Sequence, residues 1–116
     1  MDTSEQYVKM CEKAEEIQKI WNHEQLRHFL DRPHSYIVDN GRSGWTWLPR
    51  QDQLQEMIKR FNPCTYPVRG LVDAFYEFVS DEQDWKKYIT MEQFWLAFVM
   101  KKRYRKVWNG EEWING

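Results

Sequence analysis

Cysteine, histidine and glycine are scarce in this 116-residue chain, and each scarcity removes a class of chemistry. The two cysteines, Cys11 and Cys64, lack the paired spacing of a metal knuckle and are too few for a disulfide framework. In a reducing compartment they read as small packing side chains. His23, His28 and His34 are five and six residues apart, so no two share a helical face as an i, i+4 metal pair would. No metal is expected. The 5 glycines fall in turns or near helix starts, and none builds the glycine-rich loop that cradles a phosphate. No cofactor is expected either.

An excess of one charge is also missing. Lysine and arginine number 17 against 18 acidic residues, for a net charge of −1, whereas a dedicated nucleic-acid-binding domain usually carries a basic excess. The apolar run Phe94 to Met100 falls far below the roughly 20 residues that span a bilayer. The opening MDTSEQYVKM is acidic and polar, unlike the cationic-then-apolar order of a signal peptide. The expectation is a soluble cytoplasmic protein with no membrane partner. Internal repeats and low-complexity segments are absent.

Aromatic residues, by contrast, are abundant: 16% of the chain, with 7 tryptophans. A buried ring removes about 150–250 Å² from water, so a few rings hold a small domain together. With 41% hydrophobic and 30% charged residues, the composition is that of one folded domain over 1–116.

The patterning predicts a mostly helical α+β domain. A first helix is expected over 4–21, where Tyr7, Cys11, Ala14, Ile17 and Trp21 recur at helical spacing and Thr3 with Gln6 fits a capping box. Residues 22–35 are ambiguous; Leu26, Phe29 and Leu30 suit a turn or two of helix before Pro33 stops it. A hairpin is expected between 35–38 and 45–48, turned by Asp39-Asn40-Gly41. After Pro49, Leu54, Met57, Ile58 and Phe61 mark a second helix to about 61. A third spans 67–80, with Leu71, Val72, Phe75, Phe78 and Val79 as its apolar face. A polar connector over 80–89 carries Trp85. The clearest helix start is Thr90 with Gln93, a capping box, flanked by Ile89 and Phe94 as a hydrophobic staple; this helix is expected over 91–104. The chain then reads as a tight hairpin of Lys106-Val107-Trp108 with Glu111-Glu112-Trp113, joined by a two-residue Asn109-Gly110 turn. That register sets Trp108 diagonal to Trp113, close enough to touch.

Two stretches could bind something. Arg50, Gln51, Asp52 and Gln53 open a helix directly after a strand, where free backbone N–H groups attract anions; the same side chains also suit a structural cap. The second is the cationic block Lys101, Lys102, Arg103, Arg105 and Lys106. Cations there complement the negative end of a helix. On a binding reading they would meet phosphates, with Tyr104, Trp108 and Trp113 stacking on bases. The carboxylates Asp81, Glu82 and Asp84 lie in a polar connector instead of an apolar pocket that would raise a pKa, and no nucleophile turn stands out, so an enzyme is not favoured.

The run TWLPRQDQLQEMI, followed by MEQFWLAFVMKKRYRKVWNGEEW, resembles a set of small uncharacterised proteins carried by phages and prophages of Gram-positive bacteria. The likeness extends from the helix MCEKAEEIQKIW to the terminal tryptophan turn and is least clear over 22–44. Arg105 departs from it, standing where a turn glycine would be usual. The resemblance implies a phage or prophage origin and brings no catalytic residue or cofactor. The expected activity is binding of a host or phage macromolecule without catalysis, with an unknown protein as the leading partner. Nucleic acid is the second candidate, and a small-molecule binder or enzyme near Arg50 to Gln53 the third. A homo-oligomer is also considered, because a helix that is apolar all round at 91–104 needs cover on all sides.

Overall fold

The computed structural model describes residues 1–22, 36–39, 44–61, 67–82 and 85–116. The ambiguous segment around Leu26 to Pro33, the turn through Asn40-Gly41, the loop carrying Cys64 and all three histidines lie outside the described residues. The elements are α1 (Glu5–Lys13), α2 (Glu15–Asn22), β1 (Tyr36–Asp39), β2 (Trp45–Leu48), α3 (Gln51–Phe61), α4 (Pro67–Asp81), a 3-10 turn (Trp85–Lys87), α5 (Met91–Tyr104), β3 (Lys106–Trp108) and β4 (Trp113–Asn115). Among the described residues, helices and two separate two-stranded antiparallel sheets make an α+β domain. Its Cα radius of gyration, 13.7 Å, is that of one compact body; a folded chain of this length needs about 13 Å.

The centre is α5. Gln93 and every residue from Trp95 to Met100 are buried. α3 packs along it through Leu54, Met57 and Ile58, α1 through Tyr7 and Met10, and the C-terminal hairpin through Trp108. α4 adds aromatic rings: Phe75 stacks on Trp95 with centroids 3.9 Å apart, and Phe75 and Phe78 both meet Phe98 at 5.5 Å. The cover that an all-round apolar helix requires is therefore supplied by the chain itself. Thr90 caps α5, its Oγ1 accepting from the Gln93 N–H at 3.3 Å. The staple is not made as expected. Ile89 is 75% exposed, and Tyr88 packs on Phe94 in its place, centroids 5.0 Å apart. At the other end Arg105 adopts the left-handed conformation, φ 56°, and its N–H reaches the carbonyls of Lys101 and Met100. Glycine adopts that geometry without a Cβ penalty, which explains the preference for it at such a position.

Three other expectations are corrected. The first helix is interrupted: Ala14 leaves the helical region (ψ 73°), so α1 ends and α2 restarts. The Cys11 carbonyl accepts from the Ala14 N–H at 3.1 Å and also from Gln18 Nε2 at 3.0 Å. The same amide group grips β2, donating to the Trp47 carbonyl at 2.9 Å while its Oε1 accepts from the Trp47 N–H at 2.8 Å. Gln18 thus acts as one residue of a third strand along β2, and the bend at Ala14 brings it there. The cap of α1 is Ser4, not Thr3; its Oγ accepts from the Tyr7 N–H, and Gln6 turns away to α5. Finally, the C-terminal hairpin is centred on Gly110-Glu111 instead of Asn109-Gly110. Trp108 lies directly opposite Trp113, their rings 5.1 Å apart. The Asn109 side chain causes the shift: its Oδ1 accepts from both the Glu111 and Glu112 N–H groups at 2.8 Å, holding Asn109 outside the turn. Gly110 takes the positive φ of 102°.

The first hairpin forms as expected, with Ile37 opposite Trp47 and Tyr36 opposite Leu48. α4 departs from its predicted face: Leu71, Ala74, Phe75 and Phe78 pack inward, but Val72 is 58% exposed.

Candidate functional site: the seam between α4 and α5

Arg50 to Gln53 form a helix start that is occupied with its own capping. Gln53 is buried, and its Oε1 accepts from the Arg50 N–H at 2.9 Å, the reaching-back half of a capping box. The Arg50 guanidinium lies on the Asp52 carboxylate at 2.9 and 3.2 Å, and that hydrogen bond holds Asp52 below its ordinary pKa. The preceding Pro49 carbonyl accepts from the Tyr7 hydroxyl at 2.6 Å, inside the core. Gln51 is half-buried at the head of α3. These bonds explain why the run is dense in polar groups.

The cationic block divides in two. Lys106 folds inward to Glu16, Nζ to Oε2 2.5 Å, and ties β3 to α2. Burial pushes the Glu16 carboxyl up, but the Lys106 ammonium outweighs it and holds Glu16 below the usual range; Glu16 in turn raises Lys106. Lys101, Lys102, Arg103 and Arg105 remain exposed. Trp108 and Trp113 do not belong to any surface. Trp108 is 2% exposed, and Trp113 donates its Nε1–H to the buried Met10 carbonyl at 2.9 Å. Base stacking by these two rings is ruled out by their packing, because indoles lodged in the core cannot also meet a nucleic acid.

Lys101 and Lys102 gain neighbours that the sequence did not assign to them. α4 meets α5 through its aromatic rings, Phe75 on Trp95 and Phe78 on Phe98. At their C-terminal ends the helices leave a groove of about 230 Å³. Ala74, Phe78 and Phe98 give it an apolar floor, Glu77 and Asp81 stand on the α4 wall, and Lys101 and Lys102 stand on the α5 wall. Among the described residues none of these four charged side chains makes a hydrogen bond or ion pair. Their electrostatic settings differ. The two lysines sit at the negative end of α5, which favours them, whereas Glu77 and Asp81 crowd the negative end of α4, whose last turn has no basic residue. Glu77 and Asp81 were missed in sequence: Glu77 was not singled out on its helix, and Asp81 was read as part of the polar connector. Their i, i+4 spacing was the available signal.

Beyond the groove, α4 exposes Val68 (68%), Val72 (58%) and Tyr76 (72%), again at i, i+4 spacing. α4 is therefore apolar over a wider arc than the chain covers.

A polar cluster elsewhere is structural. Asp2 Oδ1 accepts from the Ser4 N–H at 2.8 Å, and Oδ2 accepts from Thr90 Oγ1 at 2.6 Å and Gln93 Nε2 at 2.9 Å. Gln93 Oε1 accepts from Gln6 Nε2 at 2.8 Å and from the Ile89 N–H at 2.9 Å. Burial raises the Asp2 carboxyl, and these hydrogen bonds outweigh it and leave its pKa lowered. The cluster pins the N-terminal turn of α1 to that of α5. Cys11 is a free thiol, fully buried, and burial pushes its pKa up. Among the described residues, no group of three metal-ligating side chains stands together, and no helix is long and apolar enough to cross a membrane.

No protein-family model matches the chain, and no curated protein or solved structure is significantly similar to it.

Proposed function

We propose that this is an accessory protein of a phage or prophage that acts in the host cytoplasm by binding another protein, without catalysis. The sequence resemblance supports the origin. The observation that carries the binding reading is the seam: an apolar-floored groove whose walls carry exposed charges of both signs. Burying the apolar floor, Ala74, Phe78 and Phe98, would stabilise a complex by roughly 25 cal/mol per Å² removed from water, before the costs of association.

Affinity capture from host lysate, with and without nuclease, tests this. The expected result is a partner that survives nuclease and is lost from two variants, Lys101→Glu with Lys102→Glu and Glu77→Lys with Asp81→Lys. All four positions are exposed, so both variants should fold. Capture indifferent to both variants would contradict the reading. A second reading, nucleic-acid binding, is favoured by the exposure of Lys101, Lys102, Arg103 and Arg105. It predicts binding that weakens steeply with added salt, and salt-insensitive anisotropy with a labelled oligonucleotide would exclude it. Light scattering separates a foreign partner from a second copy of this chain.

A further inference from the structure

We infer, building on the binding reading above, that the seam takes an amphipathic helix of the partner, anchored by one large apolar side chain and flanked by charges of both signs. Three observations converge on this occupant. The groove volume, about 230 Å³, falls below the roughly 300–1,000 Å³ of typical small-molecule sites, so it fits one large side chain better than a cofactor. Its walls are the C-terminal turns of two helices, which offer at most free carbonyls and no free backbone N–H groups. An extended segment laid between them would find few backbone partners, whereas a helix satisfies its own N–H and C=O groups. The four wall charges then specify the occupant's flanks: a cation over Glu77 and Asp81, and a carboxylate towards Lys101 and Lys102.

The cation is the more discriminating of the two. Lys101 and Lys102 already have the negative end of α5 as a counter-charge, but Glu77 and Asp81 face a helix end of their own sign. An arginine or lysine from the partner relieves that repulsion. A single anchor implies modest affinity, with the flanking charges setting specificity more than strength.

The test uses three synthetic alanine-based helical peptides with a leucine on one face. One carries arginine on one flank and glutamate on the other, one carries glutamate on both, and one carries arginine on both. Binding to the full chain is followed by NMR titration. The mixed peptide should shift the amides of Ala74, Phe78 and Lys101 and bind about tenfold more tightly than either single-sign peptide, as expected of one charge-assisted contact. The Lys101→Glu, Lys102→Glu protein should switch its preference to the all-arginine peptide. The Glu77→Lys, Asp81→Lys protein should switch to the all-glutamate peptide. Ala74→Leu, which fills the floor, should weaken all three. No shift at the seam, or a preference order unchanged by the charge variants, would overturn the inference. So would equal binding of a proline-broken mixed peptide. If the peptides fail while lysate capture still depends on the wall charges, the helical occupant falls and the binding reading stands; if capture is indifferent to those charges, both fall.

Discussion

α4 and α5 meet through aromatic rings, are rich in the same apolar residues and have different fates. α5 is buried on every side from Trp95 to Met100 by α1, α3, α4 and the tryptophan hairpin. α4 contributes Phe75 and Phe78 to that core and leaves Val68, Val72 and Tyr76 in water. Apolar content alone does not locate a binding surface. The helix with the unbroken apolar run from Phe94 to Met100 finds its cover within the chain, while its neighbour keeps an uncovered stripe. The demand for a partner moves from α5 to α4.

The comparison breaks most readily in the core. Leu96 is fully buried, so Leu96→Ala should destabilise by about 2–5 kcal/mol in urea denaturation. A loss under about 1 kcal/mol would mean α5 is less tightly covered than its burial indicates.

The N-terminal anchor of α5 should appear in the pH dependence. Asp2 has a depressed pKa in the fold, so its contribution is present above its ordinary unfolded value, about 3.9, and is lost as pH falls through the folded one. Thermal melts across acid pH should show a shallower loss for Asp2→Asn than for the parent. An unchanged acid limb would remove Asp2 from the account.

At the other end of α5, Arg105→Gly relieves the left-handed strain. The melting midpoint should rise, corresponding to about 0.5–1 kcal/mol once the added freedom of glycine in the unfolded chain is offset. The smallest effect belongs to α4. Val72→Ser should leave stability within about 0.5 kcal/mol of the parent, because the side chain packs on little; a larger loss would show that the stripe is covered after all.

Legibility in the sequence followed the range of the interaction. The bounds of α5 were readable because Thr90 and Gln93 act on the adjacent turn. The Trp108–Trp113 contact was readable in kind but not in register, since the Asn109 side chain competes with the turn its backbone favours. The break at Ala14 was hidden, as alanine is the best helix former. Its cause is Gln18 reaching β2, 29 residues away. The acidic pair Glu15-Glu16, suited to a first helical turn, was the one local hint. Of the seam, only Lys101 and Lys102 were legible. Glu77 and Asp81 share a face by their i, i+4 spacing, but that they stand opposite Lys101 and Lys102 is tertiary and leaves no local mark.

The most direct test of the central claim is native-state hydrogen exchange of the free protein. The account predicts that amides in the middle of α5 exchange only on global unfolding, while those of α4 exchange through a lower-energy local opening, because one face alone holds it. Equal protection of the two helices would contradict it.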